Sequence, residues 1–472
     1  MNIAKKLVFG SPAYQKTSQK GGFLIERGLF GNSSPASQSS GFWCEAISSK
    51  INRWAPLFIA LLVFVALLLP FASASADSGR YLVKSTKGFW KNAFGVRHAF
   101  GNGFSTDLSD FQVRLAKMFG IAVEPVTALQ ILPEDTIGSP PPSSGATSVP
   151  EPTIIPTETP TETPAVKAKA AKPGPFRFVP SDQTPWGLEV IYNDPDLVFS
   201  SGGAGVNVAI LDTGVYSEHP DLTRRISQCK DFTNPRTPVI DGKCEDKNGH
   251  GTHVAGIIAA DAGVDGRGIY GVAPRVSLFT YKVCGNNGLC YADDIAAALR
   301  LAVDQGANIV NMSFGSDQES NLIKGAIDYA VSKGVLTVAA AGNDGPFEDS
   351  IDYPGASQAV IAVGAINQPL TVTDWSSRGI NSITEPWIVE HRDIEFAAPG
   401  EYVESTWNNG GYVILSGTSM ASPFVAGLAA KYWQSTADDS MMATRDFLHS
   451  LATDLFPFGD DDASGFGLPS VK

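Results

Sequence analysis

Gly417-Thr418-Ser419-Met420-Ala421-Ser422-Pro423 sets a serine between small residues at the head of a helix-compatible run that extends from Ala421 to Trp433. A serine at that point stands at a helix N-terminus, where unpaired N–H groups and the helix dipole favour negative charge. A nucleophile whose product is an oxyanion gains from that setting. On its own, Ser419 would read as a helix N-cap, common in any protein. A nucleophilic serine needs a base, and the base needs a carboxylate to orient it. Upstream, Val208-Ala209-Ile210-Leu211-Asp212-Thr213-Gly214 reads as a buried strand that ends in an acid. Asn248-Gly249-His250-Gly251-Thr252-His253-Val254-Ala255-Gly256 reads as a tight turn feeding a helix with a histidine at its start.

The three segments, in the order Asp, His, Ser, resemble the subtilisin-like serine proteases, or subtilases. A fourth, Ala339-Ala340-Ala341-Gly342-Asn343-Asp344-Gly345, resembles the segment that carries the family's oxyanion-hole asparagine. The resemblance covers roughly residues 180 to 472. It implies Ser419 as nucleophile, His250 as general base and then acid, and Asp212 as the carboxylate that fixes the imidazole tautomer. Asn343 and the Ser419 backbone N–H would then hold the oxyanion. His253 and His219 are expected to pack internally. The site is not the Gly-x-Ser-x-Gly elbow of α/β-hydrolases, because Ala421 replaces the second glycine.

The alternation of elements leads to the same fold class. Strands are expected over 206–211, 308–313, 335–340 and 359–365, with helices over 249–260, 292–305 and 321–332. Near-continuous apolar strands separated by helices indicate a mainly parallel sheet covered on both faces. The expected architecture is α/β, a subtilisin-like three-layer domain over 179–472. A small α+β unit and a signal or anchor segment precede it.

Net charge is −13, unevenly spread. Residues 1–54 carry seven Lys/Arg against two Glu, or +5, residues 55–76 carry no charge, and the rest therefore carries −18. An acidic body argues against nucleic acid as a partner. Residues 1–54 read as a basic disordered leader. An unbroken apolar run of thirteen, Leu57 to Leu69, precedes Ala74-Ser75-Ala76 within 55–76. That combination reads as a secretory signal, or as a membrane anchor if it is not cut. The expected location is therefore extracellular, with membrane attachment only through an uncleaved segment.

Residues 77–135 read as strand, hairpin, a helix from Leu108 to Phe119 and a further strand ending in Val123-Glu124-Pro125. This resembles the short inhibitory propeptide of subtilases, which would act in cis on the cleft. Residues 136–178, rich in Pro and Thr, read as an extended linker. Of five cysteines, Cys229, Cys244, Cys284 and Cys290 lie beyond the export signal. Sequence proximity favours Cys229–Cys244 and Cys284–Cys290 as disulfides, with buried thiols as the alternative.

The resemblance also assigns binding residues. Ser313-Phe314-Gly315 and Gly288-Leu289-Cys290 match the segments that sandwich an extended peptide as added strands. Asp344 and Asp352 fall where relatives line the primary specificity pocket, and two acids there would favour Lys or Arg before the scissile bond. Lys167 and Lys169 would then be self-cleavage points, whereas Lys172 is followed by Pro173. Asp221 and Asp182 match carboxylate ligands of structural calcium, and the loop 261–268 stands in the position of the family's calcium loop without its usual Asn pair. The expected protein is a monomeric, self-processing secreted endopeptidase acting on polypeptides through an acyl-enzyme. An inactive, surface-tethered binding protein on the same fold is the alternative from another class, and an esterase is a third.

Overall fold

The computed structural model describes residues 78–132, 177–381 and 388–472. The leader 1–54, the apolar segment 55–76 and nearly all of the linker 136–178, with Lys167, Lys169 and Lys172, lie outside the described residues. Among the described residues, no helix is long and apolar enough to cross a membrane.

The first described unit begins with β1 (Ser78–Val83), α1 (Gly88–Phe94), β2 (Ala99–Phe100) and β3 (Gly103–Ser109), and continues with α2 (Asp110–Met118) and β4 (Val123–Pro125). Its four strands form an antiparallel sheet in the order β2-β3-β1-β4. Val83, Trp90, Phe104 and Leu108 form its core. The helix starts two residues later than Leu108, which belongs to β3. Phe104 and Leu108 share the buried face of that strand at period two. The helix opens at Ser109 because of a capping box. The Ser109 Oγ accepts from Gln112 N at 3.4 Å, and the Gln112 Oε1 accepts from Ser109 N at 2.9 Å. The chain then leaves this unit as β5 (Ala128–Ile131).

The larger unit runs through α3 (Trp186–Tyr192), β6 (Asn207–Asp212), β7 (Ile226–Asp231), β8 (Ile240–Asp241), α4 (His250–Ala259) and β9 (Ser277–Lys282). It continues with β10 (Leu289–Tyr291), α5 (Ala292–Asp304), β11 (Ile309–Met312), β12 (Phe314–Gly315), α6 (Asn321–Ser332) and β13 (Leu336–Ala340). After β14 (Ile361–Ile366), β15 (Phe396–Pro399), β16 (Val403–Thr406) and β17 (Tyr412–Leu415) come α7 (Thr418–Lys431) and α8 (Ser440–Leu451). Eight strands form one sheet in the order β15-β14-β13-β11-β6-β9-β7-β8, parallel throughout except for β8.

Both faces of this sheet are covered, and β6 shows why its sequence is apolar without interruption. Val208 and Ile210 pack with Val254, Ile258 and Val425 of α4 and α7. Ala209 and Leu211, on the opposite pleat, pack with Ile295, Leu299, Ile323 and Ile327 of α5 and α6. The three-layer expectation holds. Strands β7, β9 and β15 had no such signature, since Ser, Gln, Thr and Lys interrupt β7 and β9 and β15 is only four residues long.

Both expected disulfides are present. Cys229–Cys244 ties β7 to the loop that leads to α4, and Cys284–Cys290 closes the turn before β10. The carboxyl ends of β6, β11 and β13 and the N-termini of α4 and α7 lie along one edge of the sheet, as ligand sites do in parallel α/β folds.

Candidate active site

Asp212 is the last residue of β6 and is 1 % exposed. Its Oδ1 accepts from the His250 Nδ1 at 2.7 Å and from Thr213 N at 2.7 Å. A carboxylate on Nδ1 leaves Nε2 as the imidazole's basic nitrogen. The approach is close enough to require glycine next to the histidine. A Cβ on Gly251 would overlap Gly214 O and come within 3.1 Å of the Asp212 side chain. Gly249, the N-cap of α4, has φ +111°, and a Cβ there would overlap the Trp407 ring.

Ser419 is the second residue of α7 and is fully buried. Pro423 sits four residues on in the same helix and has no N–H, so it cannot give the Ser419 carbonyl its usual intrahelical donor. Ser313, just past β11, supplies the replacement. Its Oγ donates to Ser419 O at 3.1 Å, lies 3.0 Å from the Ser422 Oγ and accepts from the Asn311 Nδ2 at 2.9 Å. The Ser419 Oγ in turn donates to Ser313 O at 3.3 Å. The end of β11 and the start of α7 are thus bonded in both directions. Asn343 follows β13, and its Oδ1 accepts from Thr418 N at 3.0 Å and from the Thr418 Oγ1 at 2.9 Å. Anchoring the amide oxygen on Thr418 fixes the direction of the amide N–H2.

Asp246 is the organiser that sequence reading passed over. It is 4 % exposed, and its two oxygens accept five hydrogen bonds. Oδ1 takes the Thr213 Oγ1 at 2.9 Å, Asn248 N at 3.0 Å and Gly249 N at 2.8 Å. Oδ2 takes Thr252 N at 2.9 Å and the Thr252 Oγ1 at 2.6 Å. It therefore joins the turn after Asp212 to the first turn of α4, on either side of the His250–Asp212 contact. The available signal was an aspartate four residues ahead of a helix-starting histidine.

His253 and His219 are structural, as expected. His253 Nε2 faces Val403 O and Val413 O, both at 3.1 Å, and burial pushes its pKa down to about 3. His219 accepts from Asp221 N at Nδ1 (3.2 Å) and faces Gly411 O at Nε2 (3.0 Å), and burial lowers its pKa to about 4.

The two edge segments named for peptide binding are already filled. Strand β5 lies between β10 and β12, antiparallel to both, in a three-stranded sheet. Leu289, Cys290 and Tyr291 pair with Gln130, Leu129 and Ala128, while Phe314 and Gly315 pair with Ile131 and Gln130. Gly288 O accepts from Ile131 N at 2.9 Å. One step further in the same register sets Leu132 opposite Ser313, the residue bonded to Ser419.

Asp352 lies beside this strand pair and is 3 % exposed. A Cβ on Gly315 would overlap its Oδ2, and one on Gly342 would come within 3.0 Å of it. Asp344 and Asp317 bring carboxylate oxygens within 4.8 Å. Burial, reinforced by Asp344 and Asp317 and opposed by Arg392, raises the Asp352 pKa to about 7. Asp344 is raised by burial and by Asp317. Asp317 had not been singled out in the sequence.

The residues read as calcium ligands separate. Asp221 is buried against the loop 261–268. Its Oδ2 accepts from Ile269 N at 3.0 Å and from the Tyr412 hydroxyl at 2.8 Å. Its Oδ1 faces the loop backbone, where a Cβ on Gly268 would overlap it. Burial raises the Asp221 pKa to about 6, with Asp261 and Asp265 adding to the rise and the two hydrogen bonds opposing it. Asp182 instead caps its own turn, accepting from Thr184 N at 3.1 Å. The neighbouring Gln183 is the side chain that reaches the loop, at Gly266 O (2.7 Å) and Gly268 O (2.9 Å). A buried carboxylate, an amide and inward-turned carbonyls are hard oxygen donors of the kind calcium takes.

Comparison with known proteins agrees with this geometry. The sequence profile described as the Subtilase family matches residues 203–467. The chain is 40 % identical over 455 residues to a subtilisin of Bacillus sp. (strain TA39), covering 89 % of this chain and all of that protein. It is 37 % identical to subtilisin DY of Bacillus licheniformis over 61 % of this chain and 97 % of that one. Among solved structures, an S41 psychrophilic protease and sphericase each match at TM-score 0.59 and 48 % identity. Each match covers 62 % of this chain and 99 % of the other.

Asp246→Ala leaves several buried N–H groups without an acceptor, at about 1–3 kcal/mol each. It is expected to lower kcat on a peptide substrate by about 10- to 100-fold, with a smaller change in KM and a lower melting temperature. Steady-state kinetics and a thermal melt on the same preparation check this. Unchanged kcat would remove Asp246 from the positioning of His250.

Proposed function

The chain belongs to the subtilase family and is a serine protease, and from that premise we propose that Ser419, His250 and Asp212 form its catalytic triad, with Asn343 in the oxyanion hole. The Ser419 hydroxyl turns from Ser313 O toward the His250 Nε2 and loses its proton there as it attacks the carbonyl carbon of a peptide. Asp212 stabilises the imidazolium through Nδ1. The Asn343 side chain and the Ser419 backbone N–H receive the oxyanion. His250 then protonates the leaving amine, and water repeats the sequence to release the acyl group.

The observation that carries the rest is β5 in the cleft. A segment of the chain's own N-terminal unit fills both peptide-binding edges, so a polypeptide substrate cannot bind while it stays. This supports a zymogen whose residues 77–135 act as an inhibitory propeptide in cis. The matured form would be an exported enzyme cut free within the linker 136–178, at Lys167 or Lys169 if its specificity is basic. Calcium would be held at Asp221, Gln183 and the carbonyls of the loop 261–268. It would stabilise that loop and take no part in the chemistry.

The basic preference rests on Asp352. Among the described residues its carboxylate has no hydrogen bond or ion pair, and a buried unpaired acid is costly unless a cation meets it. A Lys or Arg side chain before the scissile bond would do so, with Asp344 at the rim.

Two outcomes follow. Expressed side by side and weighed by mass spectrometry, the wild type is expected to lose residues 77–135 together with part of the linker. Ser419→Ala is expected to keep them. Identical processing of both would assign the cut to another protease. The second concerns pH. Asp352 has a folded pKa raised from the usual carboxyl range to about 7, so it is neutral below that pH and charged above it. The ratio of kcat/KM for Lys over Leu before the scissile bond should therefore rise by about tenfold between pH 5.5 and 8.5. The ratio cancels the titration of His250, which both substrates share. A ratio that is flat in the wild type, or that rises equally in Asp352→Asn, would overturn the basic preference.

A further inference from the structure

The start of α5 carries two carboxylates, Asp293 and Asp294, that are 0 % and 1 % exposed. The N-terminal unit covers them with basic side chains. The Arg80 Nη1 donates to the Asp293 Oδ1 at 3.0 Å and to the Asp294 Oδ2 at 2.7 Å, and the guanidinium lies 3.7 Å over the Tyr291 ring. The Arg97 Nη2 is 3.7 Å from the Asp294 Oδ1, and the His98 Nε2 is 2.8 Å from the same oxygen. Even so, the Asp293 Oδ2 is buried without a partner among the described residues. Once residues 77–135 leave, as in the zymogen reading on which this inference rests, Arg80, Arg97 and His98 all leave with them. The N-terminus of α5 then remains beside two adjacent negative charges.

The register of β5 shows what passes this point when a substrate takes its place. By the register of Phe314 with Ile131, Leu132 stands opposite Ser313, which is bonded to Ser419, so its position is the one that the residue before the scissile bond would take in a substrate. Counting back from it, Ala128 is the fifth residue and pairs with Tyr291. Thr127 is the sixth, and its carbonyl accepts from Ala292 N at 2.9 Å. Val126 is the seventh, and its N–H donates to Arg80 O at 2.9 Å. A polypeptide continuing along β10 therefore runs its sixth and seventh residues past Asp293 and Asp294.

We propose that Asp293, Asp294 and Tyr291 form a guanidinium subsite that selects substrates carrying arginine at the sixth or seventh residue N-terminal to the scissile bond. Within the zymogen, Arg80 holds the place of that side chain. Arginine fits better than lysine because its planar, weakly hydrated guanidinium stacks flat on the Tyr291 ring while the Nη1 reaches both carboxylates, whereas a compact, strongly hydrated ammonium loses more on leaving water. The subsite lies beyond the five positions bonded along β10 and β12, so peptides long enough to reach it are needed to reveal it.

The test uses the full-length protein after its own processing, with ten-residue fluorogenic peptides. They are identical over the five residues before the scissile bond and carry Arg, Lys, citrulline, Ala or Glu at the sixth position, or in a second set at the seventh. In one set, kcat/KM is expected to fall in the order Arg, Lys, citrulline and Ala together, then Glu. Arg should exceed Ala by about tenfold at low salt, and the gap should close in 1 M NaCl, where the screening length is about 3 Å. Equal rates across both sets would overturn the subsite. So would an equal gain from Arg moved to the third position, which would assign the effect to the overall negative charge of the chain. A five-residue control peptide separates the two levels. If it is cleaved and the long peptides do not differ, the subsite alone fails. If it is not cleaved, the proposed cleft fails with it.

Discussion

The 2.7 Å contact between the Asp212 Oδ1 and the His250 Nδ1 is the constraint around which the rest of the site is arranged. It joins the end of a central strand to the beginning of a helix. Several features serve the approach. Glycine at 251 removes the side chain that would strike the turn after Asp212. Glycine at 249 provides a left-handed N-cap beneath Trp407. Asp246 collects hydrogen bonds from both sides of the contact and is buried in doing so. Lys282, the last residue of β9, donates its ammonium to Thr213 O at 2.5 Å and holds the same turn from the far side.

The helix that carries Ser419 shows the same economy. Proline at 423 withholds an intrahelical bond, and the hydroxyl of Ser313 restores it from the neighbouring strand. What looks like a helix defect becomes a bond between α7 and the end of β11, where the chain passes into β12. The N-terminal unit uses the remaining surface. It adds β5 to the sheet edges and seats Arg80, Arg97 and His98 on the carboxylates of α5. Its grip is therefore partly backbone pairing, which tolerates any sequence, and partly a buried ionic contact, which does not.

Much of this was legible in the sequence because the relevant signals are local. Asp212, His250, Asn343 and Ser419 each sit in a short segment whose strand-end or helix-start character is readable by itself. Alternate residues of β6 pack into opposite layers, and that required an unbroken apolar run. The two disulfides join cysteines close in sequence. Asp317 and Gln183 were not legible, because each acts on groups brought near only by folding, and the local bonds of Asp246 to Asn248, Gly249 and Thr252 do not by themselves show that it also holds Thr213. Strand β5 was hidden for a related reason. Ala-Leu-Gln-Ile is too short to declare itself, and its pairing partners lie more than 150 residues away. Leu108 was placed in a helix because its spacing suits either period, and the cap at Ser109 decided the matter.

Fluorophosphonate labelling of the processed protein, with the adduct located by peptide mass spectrometry, tests the central claim most directly. A single adduct on Ser419, lost when His250 is replaced by alanine, is the predicted result, because only an activated hydroxyl beside an oxyanion cradle reacts at an appreciable rate. An adduct on another residue, or labelling of Ser419 that persists without His250, would contradict the account.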